Sequence, residues 1–125
     1  MKLPRPFLHM ARIADAVLFW PLLVYVIWGE LTPEVPRYLE QTNDKLLHFM
    51  AYFLLAAMAA AAKTRSPVFA VIGLIALGGV LEIIQGFVGR DMSVYDELAN
   101  ALGAVAGGVA GRGAVQMLRQ WSGYW

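Results

Sequence analysis

The sequence predicts an all-α protein, an integral membrane four-helix bundle formed by a single domain over residues 1–125. Three observations predict this fold class. Hydrophobic residues make up 59% of the chain and charged residues only 15%, whereas a soluble domain is about half apolar and about a quarter charged. The apolar residues form four long segments, each near the ~20 residues that a helix needs to cross a bilayer. The polar residues inside these segments collect toward one predicted membrane surface.

The first of the four segments is the least regular and the third is the most continuous. Arg12, Asp15 and Pro21 interrupt the first segment, which follows several basic residues, as the apolar part of a signal peptide does. It ends in a tryptophan, a glycine and a glutamate rather than in the small residues of a cleavage site, so we interpret it as a retained span. The predicted spans cover approximately residues 8–28, 45–62, 67–88 and 95–117.

The basic residues are distributed unequally between the two predicted membrane surfaces. With four spans both termini share one side, and that side collects most of the lysines and arginines. Positive residues accumulate on cytoplasmic loops, so we expect a multi-pass protein of the inner or plasma membrane with both termini in the cytoplasm. The cytoplasmic set is Lys2, Arg5, Arg12, Lys63, Arg65, Arg112 and Arg119, and the outer set is Arg37, Lys45 and Arg90.

Glycines recur at every fourth residue of the last predicted helix, at Gly103, Gly107 and Gly111. Such a stripe lets the backbone of a neighbouring helix approach closely, so we predict a helix-packing seam. The sequence leaves open whether the seam is internal or joins two subunits, and the oligomeric state is open with it. Cysteine is absent, which excludes disulfides, thiolate metal sites and a cysteine nucleophile.

Polar side chains interrupt the second, third and fourth spans at helical spacing. Residues four apart share a helix face, as Asp44, His48 and Tyr52 do. A charge near the bilayer centre costs about 2.5–3.5 kcal/mol, so these faces are expected to turn toward one another rather than toward lipid. The prediction is a polar pocket that opens to the outer leaflet. Its candidate lining residues are Asp44, Lys45, His48, Tyr52, Glu82, Gln85, Arg90, Asp96 and Asn100.

The same residues form an ordered set of motifs over about residues 44–108. In the order D-K-x-x-H-x-x-x-Y, E-x-x-Q, R, S-x-x-D and N-x-x-G, they are Asp44, Lys45, His48, Tyr52, Glu82, Gln85, Arg90, Ser93, Asp96, Asn100 and Gly103. This set resembles the VanZ-like family of membrane proteins. The resemblance implies a four-helix integral membrane protein. The family is named for a member that lowers susceptibility to the glycopeptide antibiotic teicoplanin.

Three interpretations of the polar residues remain open on the sequence. They could be purely structural, with Glu82 paired with Arg90 or His48. They could bind an anionic or lipid-linked cell-envelope ligand and so modulate glycopeptide susceptibility, because Lys45, His48 and Arg90 suit phosphate or carboxylate groups. They could also form an enzyme site for acid–base or hydrolytic chemistry on an envelope-lipid head group, although the chain has no recognised catalytic motif. The binding protein is the preferred interpretation.

No cofactor or metal is predicted, and the expected partners are the lipid bilayer and the envelope ligand. One histidine with two carboxylates (His48, Glu82 and Asp96) could supply three metal ligands, but their spacing is not a recognised zinc pattern. Arg112 and Arg119 are too few and too scattered for a nucleic-acid surface. Nucleic acid is therefore not expected as a partner.

Overall fold

Four α-helices make up the regular secondary structure of the described part of the chain. The structure is a computed structural model, and it describes residues 4–32, 44–62, 67–89 and 93–122. The helices are α1 (Arg5–Leu31), α2 (Asp44–Ala61), α3 (Pro67–Gln85) and α4 (Val94–Ser122), and these ranges include no strand. The all-α prediction with four helices is confirmed for these residues.

The third helix ends earlier than the sequence predicted. The expected span reached residue 88, but α3 ends at Gln85 and residues 86–89 form a turn. The backbone N–H groups of Phe87 and Val88 donate to the Ile84 carbonyl, at 2.9 and 3.2 Å. Gly89 then adopts a φ of 84°, a left-handed conformation that costs glycine little because it has no Cβ. This turn directs the chain away from α3 toward α4.

Two helices are long and apolar enough to cross a bilayer by length and composition. They are His9–Leu31 within α1 and Pro67–Gln85, the whole of α3. The apolar part of α2, Lys45–Ala61, is shorter, and the apolar residues of α4 are interrupted by glycines and by charged residues toward both ends. The two longer apolar helices favour association with a membrane.

The closest packing between helices is that of α2 against α4, which run parallel to each other. The glycine seam (Gly103, Gly107 and Gly111) lies against the backbone of α2. The contacting residues recur at every fourth position on both α2 and α4, so the contact continues for about two helical turns. A Cβ added at each glycine would overlap, in the same order, the carbonyl groups of Phe49, Phe53 and Ala57. The seam is therefore an internal contact of the chain.

A small apolar core surrounds this seam. Leu55 and Ala56 of α2 and Ala104 of α4 are fully buried, and Val26 of α1 and Leu74 of α3 pack against them. Every helix therefore contributes to the core, and α2 lies at its centre. Tyr52 of α2 belongs to this core through its ring, and the polar end of the bundle begins at its hydroxyl group.

Candidate functional site

Buried polar side chains gather at one end of the bundle. This end holds the carboxyl ends of α1 and α3 and the amino ends of α2 and α4. Each helix contributes side chains from the turns near this end, and Tyr52 extends the set to the middle of α2. We call this set the polar cluster, and it comprises Glu30, His48, Tyr52, Glu82, Gln85, Asp96, Glu97 and Asn100, all buried except the half-buried Glu97. Six of these eight residues were predicted from the sequence, the exceptions being Glu30 and Glu97.

His48 lies at the centre of the polar cluster. Its Nδ1 is 2.8 Å from Asn100 Oδ1 and 3.3 Å from Glu30 Oε1. Its Nε2 is 3.7 Å from Asp96 Oδ2. The amide nitrogen of Asn100 donates to Glu97 Oε2 at 3.4 Å, which directs the amide oxygen of Asn100 toward the imidazole. Nδ1 is therefore a donor, and when the ring is neutral its lone pair lies on Nε2.

The first helix joins the polar cluster through Glu30. Gln85 Nε2 donates to the Glu30 backbone carbonyl at 2.8 Å, at the end of α1, where carbonyls have no intrahelical partner. The Tyr52 hydroxyl donates to Glu30 Oε2 at 3.4 Å. The sequence places Glu30 at the border between a span and a polar loop. An acid there gives no local sign of burial, and only its position on the same predicted membrane surface as the other acids could have drawn attention to it.

Glu82 connects α3 to the start of α4. Its Oε2 accepts the backbone N–H of Ser93 at 2.9 Å. Its Oε1 is buried and makes no hydrogen bond with any residue in the described ranges. Ser93 is also the N-cap of α4, because its Oγ accepts the backbone N–H of Asp96 at 3.3 Å. This cap fixes the first turn of α4, from which the Asp96 side chain reaches His48.

Gly78 of α3 lies against the polar cluster on the side of Glu97. A Cβ added there would lie 2.5 Å from Glu97 Oε2, 3.1 Å from Asn100 Nδ2 and 3.3 Å from Tyr52 Oη. The missing side chain at position 78 is therefore what makes room for the Glu97 carboxylate. Adjacent helical residues point about 100° apart, so Glu97 turns toward α3 while Asp96 turns toward His48. That direction depends on where α3 lies, which the sequence does not reveal.

The remaining predicted lining residues lie at the edge of the cluster or outside the described residues. Lys45 is at the rim, with its side chain 56% exposed and its Nζ 3.5 Å from Asp96 Oδ1. Arg90 and the side chain of Asp44 lie outside the described residues, and so does the predicted Glu82–Arg90 pair.

An apolar groove of about 470 Å³ runs between α3 and α4. Val71 and Ile72 line one wall, Val105 and Val109 line the other, and Arg112 lies toward its far end. Val105 follows Asn100 by five residues, which is about 8 Å along the helix axis. The groove therefore begins below the polar cluster and extends toward the opposite end of the bundle.

Comparison with known proteins gives no match: no family model, no curated protein and no solved structure resembles the chain. The likeness to the VanZ-like family therefore rests on the motif residues alone. Of these, the structure brings His48, Tyr52, Glu82, Gln85, Asp96 and Asn100 together in the polar cluster.

The polar cluster is acidic in its charge balance. Four carboxylates belong to it, against one imidazole and the ammonium group of Lys45 at the rim. Such a set attracts cations, and an imidazole beside carboxylates can also accept and donate protons. One ligand atom from each of His48, Glu82 and Asp96 lies within 4.8 Å of the other two. The chemistry open to this site is therefore cation binding, proton transfer, or both.

Proposed function

We propose that the chain is a four-span protein of the inner or plasma membrane. Large apolar side chains point outward on every helix, which supports this proposal: Leu18, Leu54, Phe69 and Val109 are 60%, 45%, 79% and 70% exposed. The apolar windows of α1 and α3 are only 6% and 22% buried, unlike core helices of a soluble domain. Exposed apolar surface on this scale calls for lipid or a partner to cover it.

The orientation follows from the charges. The polar cluster occupies one end of the bundle, and Arg12, Arg112 and Arg119 lie on the turns of α1 and α4 toward the other end. The sequence has further basic residues at the amino terminus and between α2 and α3. By the positive-inside rule the basic end is cytoplasmic. Both termini then lie in the cytoplasm, and the polar cluster lies beneath the outer surface of the membrane.

We further propose that the polar cluster binds the head group of an anionic or lipid-linked cell-envelope molecule. One observation carries this proposal: all four helices bury polar side chains at one end of the bundle, although burying polar and charged groups is costly, above all in a bilayer. The imidazole of His48 and the ammonium group of Lys45, which is exposed at the rim, suit phosphate and carboxylate groups. The apolar groove between α3 and α4 suits the lipid tail.

The VanZ-like motifs extend this proposal to glycopeptide susceptibility. If the chain shares the family's role, sequestering or reshaping an envelope lipid would alter the response of the cell to teicoplanin. Catalysis on the same head group is the alternative, supported by the contact between His48 Nε2 and Asp96 Oδ2 at 3.7 Å.

The membrane arrangement is tested by adding a charge to α3. Ala76 is the exposed central residue of α3, and Ala114 is exposed near the proposed cytoplasmic end of α4. Ala76→Lys should lower the amount of protein inserted in the membrane, because a central lysine costs about 2.5–3.5 kcal/mol. Ala114→Lys should insert like the wild type. Equal insertion of both variants, measured in carbonate-washed membranes, would contradict the proposed span.

Ligand binding is tested by native mass spectrometry of the full chain extracted in a mild detergent. We expect wild type to retain a phosphorylated envelope lipid, and His48→Ala to lose about tenfold or more of it, as on truncating a buried polar partner. His9→Ala is the matched control, because His9 is exposed at the far end of α1. Retention by a folded His48→Ala variant at the wild-type level would contradict binding at the polar cluster. Turnover of the retained lipid by wild type would favour the enzyme.

A further inference from the structure

We propose that His48, Glu82 and Asp96 form a binding site for a divalent transition-metal ion such as Zn²⁺. The three side chains come from α2, α3 and α4 and are only 7%, 4% and 7% exposed. Their potential ligand atoms lie within 4.8 Å of one another. Zinc binds imidazole nitrogen and carboxylate oxygen at about 2.0–2.2 Å, so side-chain rotations that draw the three atoms together around an ion would complete the site.

The orientation of His48 is the one that a metal ligand requires. A ligating histidine donates its second ring N–H to a carboxylate or carbonyl, which fixes the tautomer and aims the other nitrogen at the metal. Here Nδ1 lies 2.8 Å from Asn100 Oδ1 and 3.3 Å from Glu30 Oε1. In the neutral ring, which is the form that binds a metal, Nε2 then carries the lone pair, and it lies 3.7 Å from Asp96 Oδ2. Asn100 and Glu30 thus act as positioning residues.

Glu82 provides a second, independent observation. Its Oε2 is occupied by the backbone N–H of Ser93 at 2.9 Å. Its Oε1 is buried and makes no hydrogen bond within the described ranges. A buried carboxylate oxygen without a partner is costly, and a bound cation would offset that cost. The hydrogen bond to Oε2 also holds the carboxylate in place and leaves Oε1 available to an ion.

The charges around the site favour a cation as well. Glu30 and Glu97 add two carboxylates to the two that would bind the metal. Lys45 approaches Asp96 through Oδ1, at 3.5 Å, while Oδ2 faces His48. A donor set of one imidazole and two carboxylates suits zinc, manganese or iron better than magnesium or calcium, which prefer oxygen alone.

Three protein ligands leave a coordination position open for a further group. A phosphate oxygen of the envelope ligand would fill it, and the ion would supply the positive charge that an anionic head group needs beside four carboxylates. This last step rests on the proposed function, whereas binding of the metal itself does not.

The experiment titrates Zn²⁺ alone into the full chain, purified in detergent and stripped with a chelator, and measures bound metal by equilibrium dialysis. We expect one ion per chain. Glu82→Gln and His48→Gln should weaken binding by about tenfold or more, whereas His9→Gln, which changes the other histidine, should bind like wild type. Co²⁺ provides a spectroscopic readout, since its visible absorption bands should appear with wild type and not with Glu82→Gln.

Thermal unfolding supplies a second measurement that does not depend on how stable each variant is. Added Zn²⁺ should raise the Tm of wild type, because ligands stabilise the state that binds them, and should leave the Tm of Glu82→Gln unchanged. The metal site is overturned if wild type does not bind one ion per chain. An ion pair between Arg90 and Glu82 would produce that result. Equal binding by wild type and both variants also overturns the metal site. Lipid retention after chelation would separate the two proposals, because the proposed function would then stand without the metal.

Discussion

Replacing Gly107 with alanine should destabilise the protein, while the same replacement at Gly113 should not. Both glycines lie on α4, six residues apart. A Cβ at position 107 would overlap the backbone of Phe53, whereas a Cβ at position 113 would meet nothing within 4 Å. The pair therefore isolates the effect of the close contact between α2 and α4.

The magnitude follows from two terms. Alanine favours a helix over glycine by about 1 kcal/mol, and both variants gain this amount. Gly107→Ala is also destabilised by overpacking, which lowers the free energy of unfolding by about 1–3 kcal/mol. The upper part of that range applies here, since Phe53 meets the new methyl group with its carbonyl, and a backbone group cannot rotate away as a side chain can. The difference in the free energy of unfolding between the two variants equals the overpacking cost, about 2–3 kcal/mol.

The assay is reversible unfolding of the purified protein in mixed micelles, followed by circular dichroism. Gly113→Ala should unfold at or slightly above the denaturant midpoint of wild type, and Gly107→Ala well below it. The seam also sets the spacing of the polar cluster, because Gly103 lies one turn from Asn100 and touches Phe49, next to His48. Gly103→Ala should therefore weaken any ligand or metal binding at His48. Equal stability of the Gly107 and Gly113 variants would refute the direct backbone contact.

Two further substitutions test how the polar cluster is held. Ser93→Ala removes the N-cap of α4, because Ser93 Oγ accepts the backbone N–H of Asp96 at 3.3 Å. This variant should lower the free energy of unfolding by about 1 kcal/mol. Ser93→Thr, which keeps a hydroxyl group, should recover most of that loss. Gln85→Leu removes the amide that donates to the Glu30 carbonyl, 2.8 Å away. This variant should lower the free energy of unfolding by about 1–3 kcal/mol and speed hydrogen exchange at the end of α1. Gln116→Leu, at an exposed position on α4, is the control and should change stability by less than about 0.5 kcal/mol. If α1 exchanges hydrogen at the wild-type rate in the Gln85→Leu variant, this hydrogen bond does not anchor the helix.

The sequence by itself determined the helices and much of the polar cluster. Apolar segments of about 20 residues have few alternatives to helix, because a helix satisfies its own backbone hydrogen bonds. His48, Glu82, Asp96 and Asn100 were predicted to converge because each interrupts an apolar segment at helical spacing. Placing a charge against apolar surroundings is costly. Because most of this chain is apolar, few positions were open to these side chains other than beside one another.

The tertiary structure alone decided which atoms meet. Glu30 and Glu97 enter the polar cluster because of the positions of α1 and α3, and neither residue carries a local signal of burial. The partner of the glycine seam is α2 because Phe49, Phe53 and Ala57 repeat in register with the three glycines. The tautomer of His48 follows from the direction of the Asn100 amide, which Glu97 sets from the same helix. Such contacts depend on the rotation and register of whole helices, which are fixed by packing over the full interface and leave no trace in the spacing of any one segment.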